Sequence, residues 1–97
     1  MKVFRKLLTF EWDRGNFNKN WLKHKVTNRE CEESFFDTDK RILKDALHSD
    51  VEKRNILLGK TKKGRILFIS FTKRGRKIRV ISARPINKNG QRLYYRK

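Results

Sequence analysis

Apolar residues recur at helical spacing in the first third of the chain. Phe17 and Trp21 lie one helical turn apart, within a segment that has polar residues between its apolar positions. Asp13 precedes this segment and is a residue type that caps helix N-termini. The pattern therefore predicts a helix over residues 14–25, with Phe17 and Trp21 on its inner face.

Two further elements are predicted on either side of this helix. The run from Leu7 to Trp12 is typical of a first strand. Thr27 and Glu30 have the T-x-x-E spacing of a capping box, in which each side chain satisfies a backbone N–H near the helix start. A second helix is therefore predicted from this point to about Phe36.

From residue 42 onward the pattern changes to short apolar runs separated by basic turns, which predicts strands. The runs are residues 42–43, 56–58, 66–71 and 78–83, and the turns between the last three are residues 59–64 and 73–76. Short turns favour antiparallel pairing of neighbouring strands, so the last three should form a meander. Residues 66–71 are apolar almost throughout, which indicates a central strand covered on both faces.

These elements indicate an α+β fold, with two N-terminal helices packed on a mainly antiparallel, twisted sheet. No repeat or linker divides the chain, so residues 1–97 are predicted to form one domain. Two alternatives stay open for the segment from Asn87, where a glycine follows soon after: a short C-terminal helix or a mobile tail.

Charge is distributed very unevenly along the chain. All ten acidic residues lie between Glu11 and Glu52, whereas residues 53–97 carry sixteen of the 27 lysines and arginines and no acid. Such self-repulsion is relieved by a polyanionic partner. Nucleic acid is the first candidate, an anionic membrane the second and an acidic protein the third.

Several classes of protein are disfavoured by what the sequence lacks. No window approaches 18 apolar residues, and the N-terminus has neither a long apolar run nor a small-residue cleavage site, so we expect a soluble, cytoplasmic protein. Cys31 is the only cysteine, which excludes an internal disulfide and favours a buried structural residue.

Four groups of residues cover nearly the whole chain in a characteristic order. They are Phe10-Glu-Trp-Asp13; Asn20-x-x-Lys23-His24-x-Val26; His48-x-x-x-Glu52-x-Arg54 leading to Gly59; and Gly64-Arg65, Thr72-x-Arg74 and Arg79-Val-Ile-Ser-Ala-Arg84. Taken jointly they resemble the BrnT family of bacterial ribonuclease toxins. The resemblance implies a RelE-like fold and a metal-independent endoribonuclease that needs no cofactor and acts on RNA, either free mRNA or mRNA on the ribosome. It also implies a cognate antitoxin that wraps the toxin in a hetero-oligomer, binds DNA and helps to repress the shared operon.

RNA can be cleaved without a metal when its own 2′-hydroxyl attacks the adjacent phosphate. Arginine suits the stabilisation of the charged phosphate, because its planar fork donates paired hydrogen bonds and stays protonated. Arg79 and Arg84, with Arg74 and Arg54, are the candidates to converge on one phosphate. Arg79 and Arg84 have opposite parity along a regular strand, so a bulge or the end of the strand at Pro85 is required to bring them together.

Proton transfer has several candidates, because histidine titrates near neutrality and burial raises the pKa of a carboxylate toward it. These are His24, His48 and Glu52, with Lys73 as a further candidate base beside two arginines. His24 has an equally good structural interpretation at a helix C-terminus. The two histidines and the scattered carboxylates form no recognisable metal-ligand spacing.

The remaining cations are predicted to bind the RNA backbone, and are Arg54, Lys62, Lys63, Arg65, Lys73, Arg76 and Lys77. Two alternatives to cleavage stay open at this point. The chain is either a non-catalytic RNA- or DNA-binding protein that neutralises phosphates, or its basic face chiefly binds an acidic segment of an antitoxin.

Overall fold

A computed structural model describes residues 8–45 and 53–96. In these two stretches the chain forms three helices and a five-stranded sheet, and the predicted α+β class is confirmed. The elements in chain order are β1 Thr9–Phe10, α1 Lys19–His24, α2 Asn28–Phe35, β2 Arg41–Asp45, β3 Arg54–Lys60, β4 Ile66–Arg74, β5 Lys77–Pro85 and α3 Lys88–Tyr95.

The strands lie in the order β1-β5-β4-β3-β2, and β2 to β5 form an antiparallel meander. The predicted meander of the last three strands and the central position of β4 are thus confirmed. Gly75, at φ 64°, allows the tight turn between β4 and β5. The short β1 pairs parallel to β5, which brings the residues that follow β1 next to the arginines of β5.

β5 contains the irregularity that its arginines require. Ser82 pairs with Ser70 of β4 while Val80 pairs with Phe71, so Ile81 is an extra residue in β5. A bulge of this kind reverses the alternation of side chains beyond it. Arg79 and Arg84 therefore lie on the same face of the sheet.

The core lies between one face of the sheet and the two N-terminal helices. α2 begins with the predicted capping box, in which Thr27 Oγ1 accepts the Glu30 N–H at 3.0 Å and Glu30 Oε1 accepts the Thr27 N–H at 3.0 Å. Its inner side buries Cys31, Ser34 and Phe35, and these meet apolar side chains of β3, β4 and β5. Gly59 lies so close to Ser34 that a Cβ would overlap the Ser34 carbonyl oxygen.

The prediction for the first helix was wrong in its length and in its orientation. The helix begins only at Lys19, after a turn, and Phe17 and Trp21 are 55% and 46% exposed. The inward residues are Asn16 and Asn20, each only 2% exposed.

The reason for this orientation is the edge of β5. Among the described residues, β1 pairs with β5 at Lys77 and Ile78, and backbone groups of β5 further along bond to side chains instead. Asn16 Nδ2 donates to the Val80 carbonyl at 2.9 Å, and the Ala83 N–H donates to Asn20 Oδ1 at 2.8 Å. Backbone polar groups in a protein interior need such partners, and asparagine supplies them where an aromatic ring does not.

The segment after Asn87 is a helix, which decides between the two alternatives left by the sequence. The Asn87 side chain caps α3 by accepting the Gly90 N–H at 2.8 Å. Near the other end, the Tyr94 hydroxyl donates to Asp37 Oδ2 at 2.5 Å, and the same oxygen accepts the Lys60 N–H at 2.8 Å. Tyr94 therefore fastens α3 to the sheet.

Candidate functional site

The face of the sheet opposite α1 and α2 carries the arginines of β5. We call it the open face because Lys77 and Arg84 are exposed there, although Ser70 and Thr72 of β4 are buried. Along β5 this face presents Arg79, Ser82 and Arg84, which pair in register with Thr72, Ser70 and Phe68 of β4. Thr72 and Phe68 are four positions apart, a distance of about 13 Å at roughly 3.3 Å per residue. Arg79 and Arg84 thus lie on either side of the paired Ser70 and Ser82.

Arg79 is held by two carboxylates that follow β1. Its guanidinium donates to both oxygens of Asp13, at 2.8 and 3.0 Å, and to Glu11 Oε1 at 3.3 Å. The hydrogen bond with Arg79 lowers the pKa of Asp13, and the bond with Asp13 raises the pKa of Arg79. Both groups are therefore charged at neutral pH, and the fork of Arg79 is occupied.

Arg74, at the end of β4, shares one of these acids. Its Nη1 lies 3.3 Å from Glu11 Oε1, the oxygen that Arg79 also contacts. Arg74, Arg79, Glu11 and Asp13 form a group of two positive and two negative charges, which we call the arginine–carboxylate cluster. The sequence identified its arginines but not its acids, because only the parallel pairing of β1 with β5 brings the two together.

Arg84 has a different environment. Its guanidinium lies 4.6 Å from the centre of the Phe68 ring on the neighbouring strand, and the side chain is exposed. Within residues 8–45 and 53–96, no carboxylate forms an ion pair with it. A stacked, exposed guanidinium keeps its hydrogen-bond donors available to an anion.

The other predicted RNA-binding residues are divided among several places. Arg54 begins β3, where Asp45 of β2 pairs with it in register. Lys77 alternates with Arg79 on the open face, and Arg76 lies in the turn before it. Lys73 instead points to the helix side of the sheet, with Phe35 and Phe71 around the same groove, so it is separated from Arg79 and Arg84.

The turn between β3 and β4 places its cations at the opposite end of β4 from Arg74. Lys62 and Lys63 are exposed there. Arg65 donates to both oxygens of Glu30 at 3.2 Å and to the carbonyls of Lys25 and His24, at 2.9 and 3.3 Å. Its guanidinium therefore joins the end of α1 to the start of α2, which is a structural role.

The candidate proton carriers are not brought together in the described part of the chain. His24 lies at the C-terminus of α1, on the helix side of the sheet, as its structural interpretation predicts. His48 and Glu52 lie outside the described residues. Cys31 is buried, and burial raises the pKa of its thiol to about 12, so it is protonated at neutral pH.

Neither a metal-binding cluster nor a membrane-spanning helix is found among the described residues. In these parts of the chain, no group of three histidine, cysteine or acidic side chains is arranged to hold a metal ion. Likewise, none of the helices described here is long and apolar enough to cross a membrane.

The described residues thus define an α+β protein with a mainly antiparallel sheet. This sheet presents arginines on its open face, and arginines are among the side chains that proteins use to bind phosphate groups. Comparison with protein families identifies it further. The model of the ribonuclease toxin BrnT of type II toxin–antitoxin systems matches residues 12–90, and the chain belongs to that family. The resemblance noted in the sequence is confirmed, and with it a ribonuclease toxin with RNA as substrate and a cognate antitoxin as partner. A comparison with curated proteins finds no match.

Proposed function

We propose that this toxin is a metal-independent endoribonuclease whose open face binds the scissile phosphate between Arg79 and Arg84. The 2′-oxygen of the RNA attacks the phosphorus while a base takes the 2′-proton. The bond from phosphorus to the 5′-oxygen breaks, and that oxygen receives a proton. The products are a 2′,3′-cyclic phosphate and a 5′-hydroxyl.

The observation that carries the proposal is the bulge at Ile81. Without it, Arg79 and Arg84 would lie on opposite faces of β5, and one phosphate would not meet both. With it, their backbones are about 13 Å apart on one face, a gap that two arginine side chains reaching toward each other can close on a phosphate. Their place on strands also limits their movement, which favours alignment of the reacting atoms.

The two arginines have distinct parts in this proposal. Arg84 is exposed and forms no ion pair with a described carboxylate, so it captures the phosphate. Arg79 exchanges its Asp13 carboxylate for a phosphate edge, because both anions accept the same paired hydrogen bonds. Arg74 moves with it through the shared Glu11 oxygen, and Arg54, Arg76 and Lys77 bind the flanking backbone.

Proton transfer is assigned to His48 and Glu52 in this proposal. A histidine and a carboxylate are the residue types that most often act as acid and base near neutral pH. His24 and Lys73 are not included, because both lie on the helix side of the sheet.

We further propose that the substrate is mRNA, free or presented by the ribosome, so that cleavage in the cytoplasm inhibits translation. The antitoxin in this proposal binds DNA and represses the shared operon. Cleavage of naked RNA compared with cleavage of mRNA on added ribosomes tests the substrate form.

The central experiment is incubation of the purified toxin with single-stranded RNA in excess EDTA. We expect fragments that end in 2′,3′-cyclic phosphates. Arg84→Ala should slow cleavage about 100-fold or more, the scale of losing one donor that stabilises transition-state charge. Arg92→Ala, which removes an exposed arginine of α3, is the matched control and should leave the rate unchanged.

Non-catalytic RNA binding is the alternative that one observation favours, since carboxylates already occupy the fork of Arg79. It predicts affinity that falls steeply with salt, by about 0.7 log units per tenfold salt for each phosphate contacted, and no scission. RNA that stays intact both alone and on added ribosomes, EDTA-sensitive cleavage, or an active Arg84→Ala protein would each contradict the proposed mechanism.

A further inference from the structure

α1 and the turn just before it present apolar side chains to solvent and bury polar ones. Phe17, Trp21 and Leu22 are 55%, 46% and 72% exposed, while Asn16 and Asn20 are each 2% exposed. Phe17 and Trp21 are separated by four positions and so lie on one side of the segment, with Leu22 adjacent. We call these three residues the α1 patch.

The fold itself gives no reason for an apolar outer side. The asparagines already hold α1 on the edge of β5, and polar residues on the outer side would keep α1 equally well attached. An exposed group of large apolar side chains with polar residues around it is typical of a protein-binding surface. Tryptophan is also enriched among the residues that dominate binding energies.

Charges beside the α1 patch indicate the chemistry of the partner. The Lys25 ammonium lies 5.0 Å from the centre of the Trp21 ring. A groove of about 540 Å³ beginning at Trp21 is also lined by Arg29, Lys62 and Lys63. Apolar contacts next to exposed cations complement a segment that carries both apolar and acidic side chains.

Two acids restrict where an anionic group can bind in this groove. Glu30 and Glu33 line it as well, and Glu30 is held there by Arg65. Glu30 pairs with Arg65 and Glu33 with Arg29, so the positive charge left for a partner's carboxylates lies at Lys25, Lys62 and Lys63. The groove also lies on the helix side of the sheet, away from the arginines of the open face.

We propose that the α1 patch and this groove dock an acidic, amphipathic segment of the cognate antitoxin. Apolar side chains of that segment cover Phe17, Trp21 and Leu22, and its carboxylates pair with Lys25, Lys62 and Lys63. The inference rests on the family's antitoxin and not on the proposed cleavage mechanism. Lys62 and Lys63, which the sequence suggested for RNA, then serve the antitoxin.

The test uses two pairs of substitutions in the full chain. Phe17→Ser with Trp21→Ser removes the apolar contact, and Lys62→Glu with Lys63→Glu reverses the charge. Leu93→Ser, at an exposed leucine of α3, is the matched control. Calorimetric titration gives the Kd for the full-length cognate antitoxin, and RNA cleavage without antitoxin is measured in parallel.

We expect each pair to raise the Kd at least about tenfold, equivalent to 1.4 kcal/mol, with RNA cleavage unchanged in the serine pair and no effect of Leu93→Ser. An unchanged Kd in both pairs would overturn the proposal. Weakened RNA binding or cleavage with an unchanged Kd would instead make the patch an RNA surface. If the serine pair does not fold, as judged by circular dichroism, the lysine pair decides, because its side chains are exposed.

The outcome of the antitoxin titration does not depend on the outcome of the cleavage experiment. Antitoxin affinity is measured without RNA, so a toxin that fails to cleave in EDTA still reports on the α1 patch. Equally, an antitoxin that docks elsewhere leaves the role of Arg84 unaffected.

Discussion

Arg79 is the proposed phosphate-binding residue whose hydrogen-bond donors are already taken by a carboxylate. Asp13 forms two hydrogen bonds with its guanidinium, in the same geometry that a phosphate would use. Asp13 is 54% exposed, so this pair contributes little to folding and can be exchanged for an RNA phosphate. In the proposed mechanism, this carboxylate is therefore an internal competitor for RNA.

A substitution at Asp13 tests that competition. Asp13→Asn keeps the shape but removes the charge, and we expect RNA affinity to rise about threefold at low salt as Arg79 is released. Asp39→Asn, at another exposed acid, changes the net charge equally and controls for general electrostatics. Equal gains in both variants, measured by fluorescence anisotropy, would contradict a specific role for Asp13.

At the scale of elements, α1 depends on polar contacts with β5. Asn20 accepts a hydrogen bond from the buried Ala83 N–H, and its loss leaves that donor without a partner. We expect Asn20→Ala to lower the free energy of unfolding by about 1–3 kcal/mol in urea titrations. Asn18→Ala, at an exposed position just before the helix, should change it far less. Equal effects would refute the buried bond as the cause.

The contact of α2 with β3 depends on the absence of a side chain at Gly59. A Cβ there would overlap the Ser34 carbonyl and lie 2.9 Å from Ser34 Cβ, so the helix would have to move. We expect Gly59→Ala to destabilise the fold by about 1–3 kcal/mol. In Gly75→Asn the turn has open space, and asparagine tolerates its φ of 64°, so thermal melting should show a smaller loss.

For the whole molecule, the fold brings the acids of the N-terminal half against the cations of the C-terminal half. Glu11 and Asp13 meet Arg74 and Arg79, and Glu30 meets Arg65. Positive and negative charges are therefore distributed more evenly over the folded protein than along the sequence. The surface that stays basic is the part that needs an external polyanion, and Arg84 belongs to it.

These pairings make the stability of the fold depend on pH in the acidic range. Arg79 lowers the pKa of Asp13 from 3.8, although this exposed pair contributes little to folding. Burial raises the pKa of Glu30 and of Asp37, but hydrogen bonds outweigh it, so both fall below their ordinary 4.5 and 3.8. A lowered carboxyl pKa stabilises the fold above the ordinary value, and this contribution is lost as pH falls through the lowered one.

We therefore expect the urea midpoint to be constant from about pH 7 to pH 5 and to fall below about pH 4. Glu30→Gln should remove part of this decrease, because its carboxylate no longer titrates. An acid-independent midpoint in the parent protein, or an unchanged decrease in Glu30→Gln, would show that these carboxylates do not set the acid stability.

The local pattern of the sequence was sufficient for most elements. The capping box at Thr27, the strands with their glycine turns and the basic C-terminal half depend on neighbouring residues, and each is present as predicted. The family followed from short motifs in order and is confirmed over residues 12–90. The catalytic assignment of Arg74, Arg79 and Arg84 stays a prediction.

Periodicity failed at α1, because it assigns aromatic residues to the interior wherever they are spaced by a turn. At the unpaired edge of β5 the backbone groups of Val80 and Ala83 require hydrogen-bond partners. Asn16 and Asn20 supply them and therefore face inward, which leaves Phe17 and Trp21 exposed. No pattern in the sequence around α1 indicates that edge. It exists because β1 ends at Phe10, and local sequence does not show it because β5 lies more than sixty residues further along the chain.

The sequence by itself determined the secondary structure of most segments, the location of positive charge and the family, because each depends on residues close together in the chain or on their order. Tertiary structure alone decided which carboxylates meet which arginines and which side of α1 faces solvent. It also decided that Arg79 and Arg84 share a face. These outcomes rest on strand register, where one extra residue, Ile81, reverses the side on which every later side chain of β5 lies.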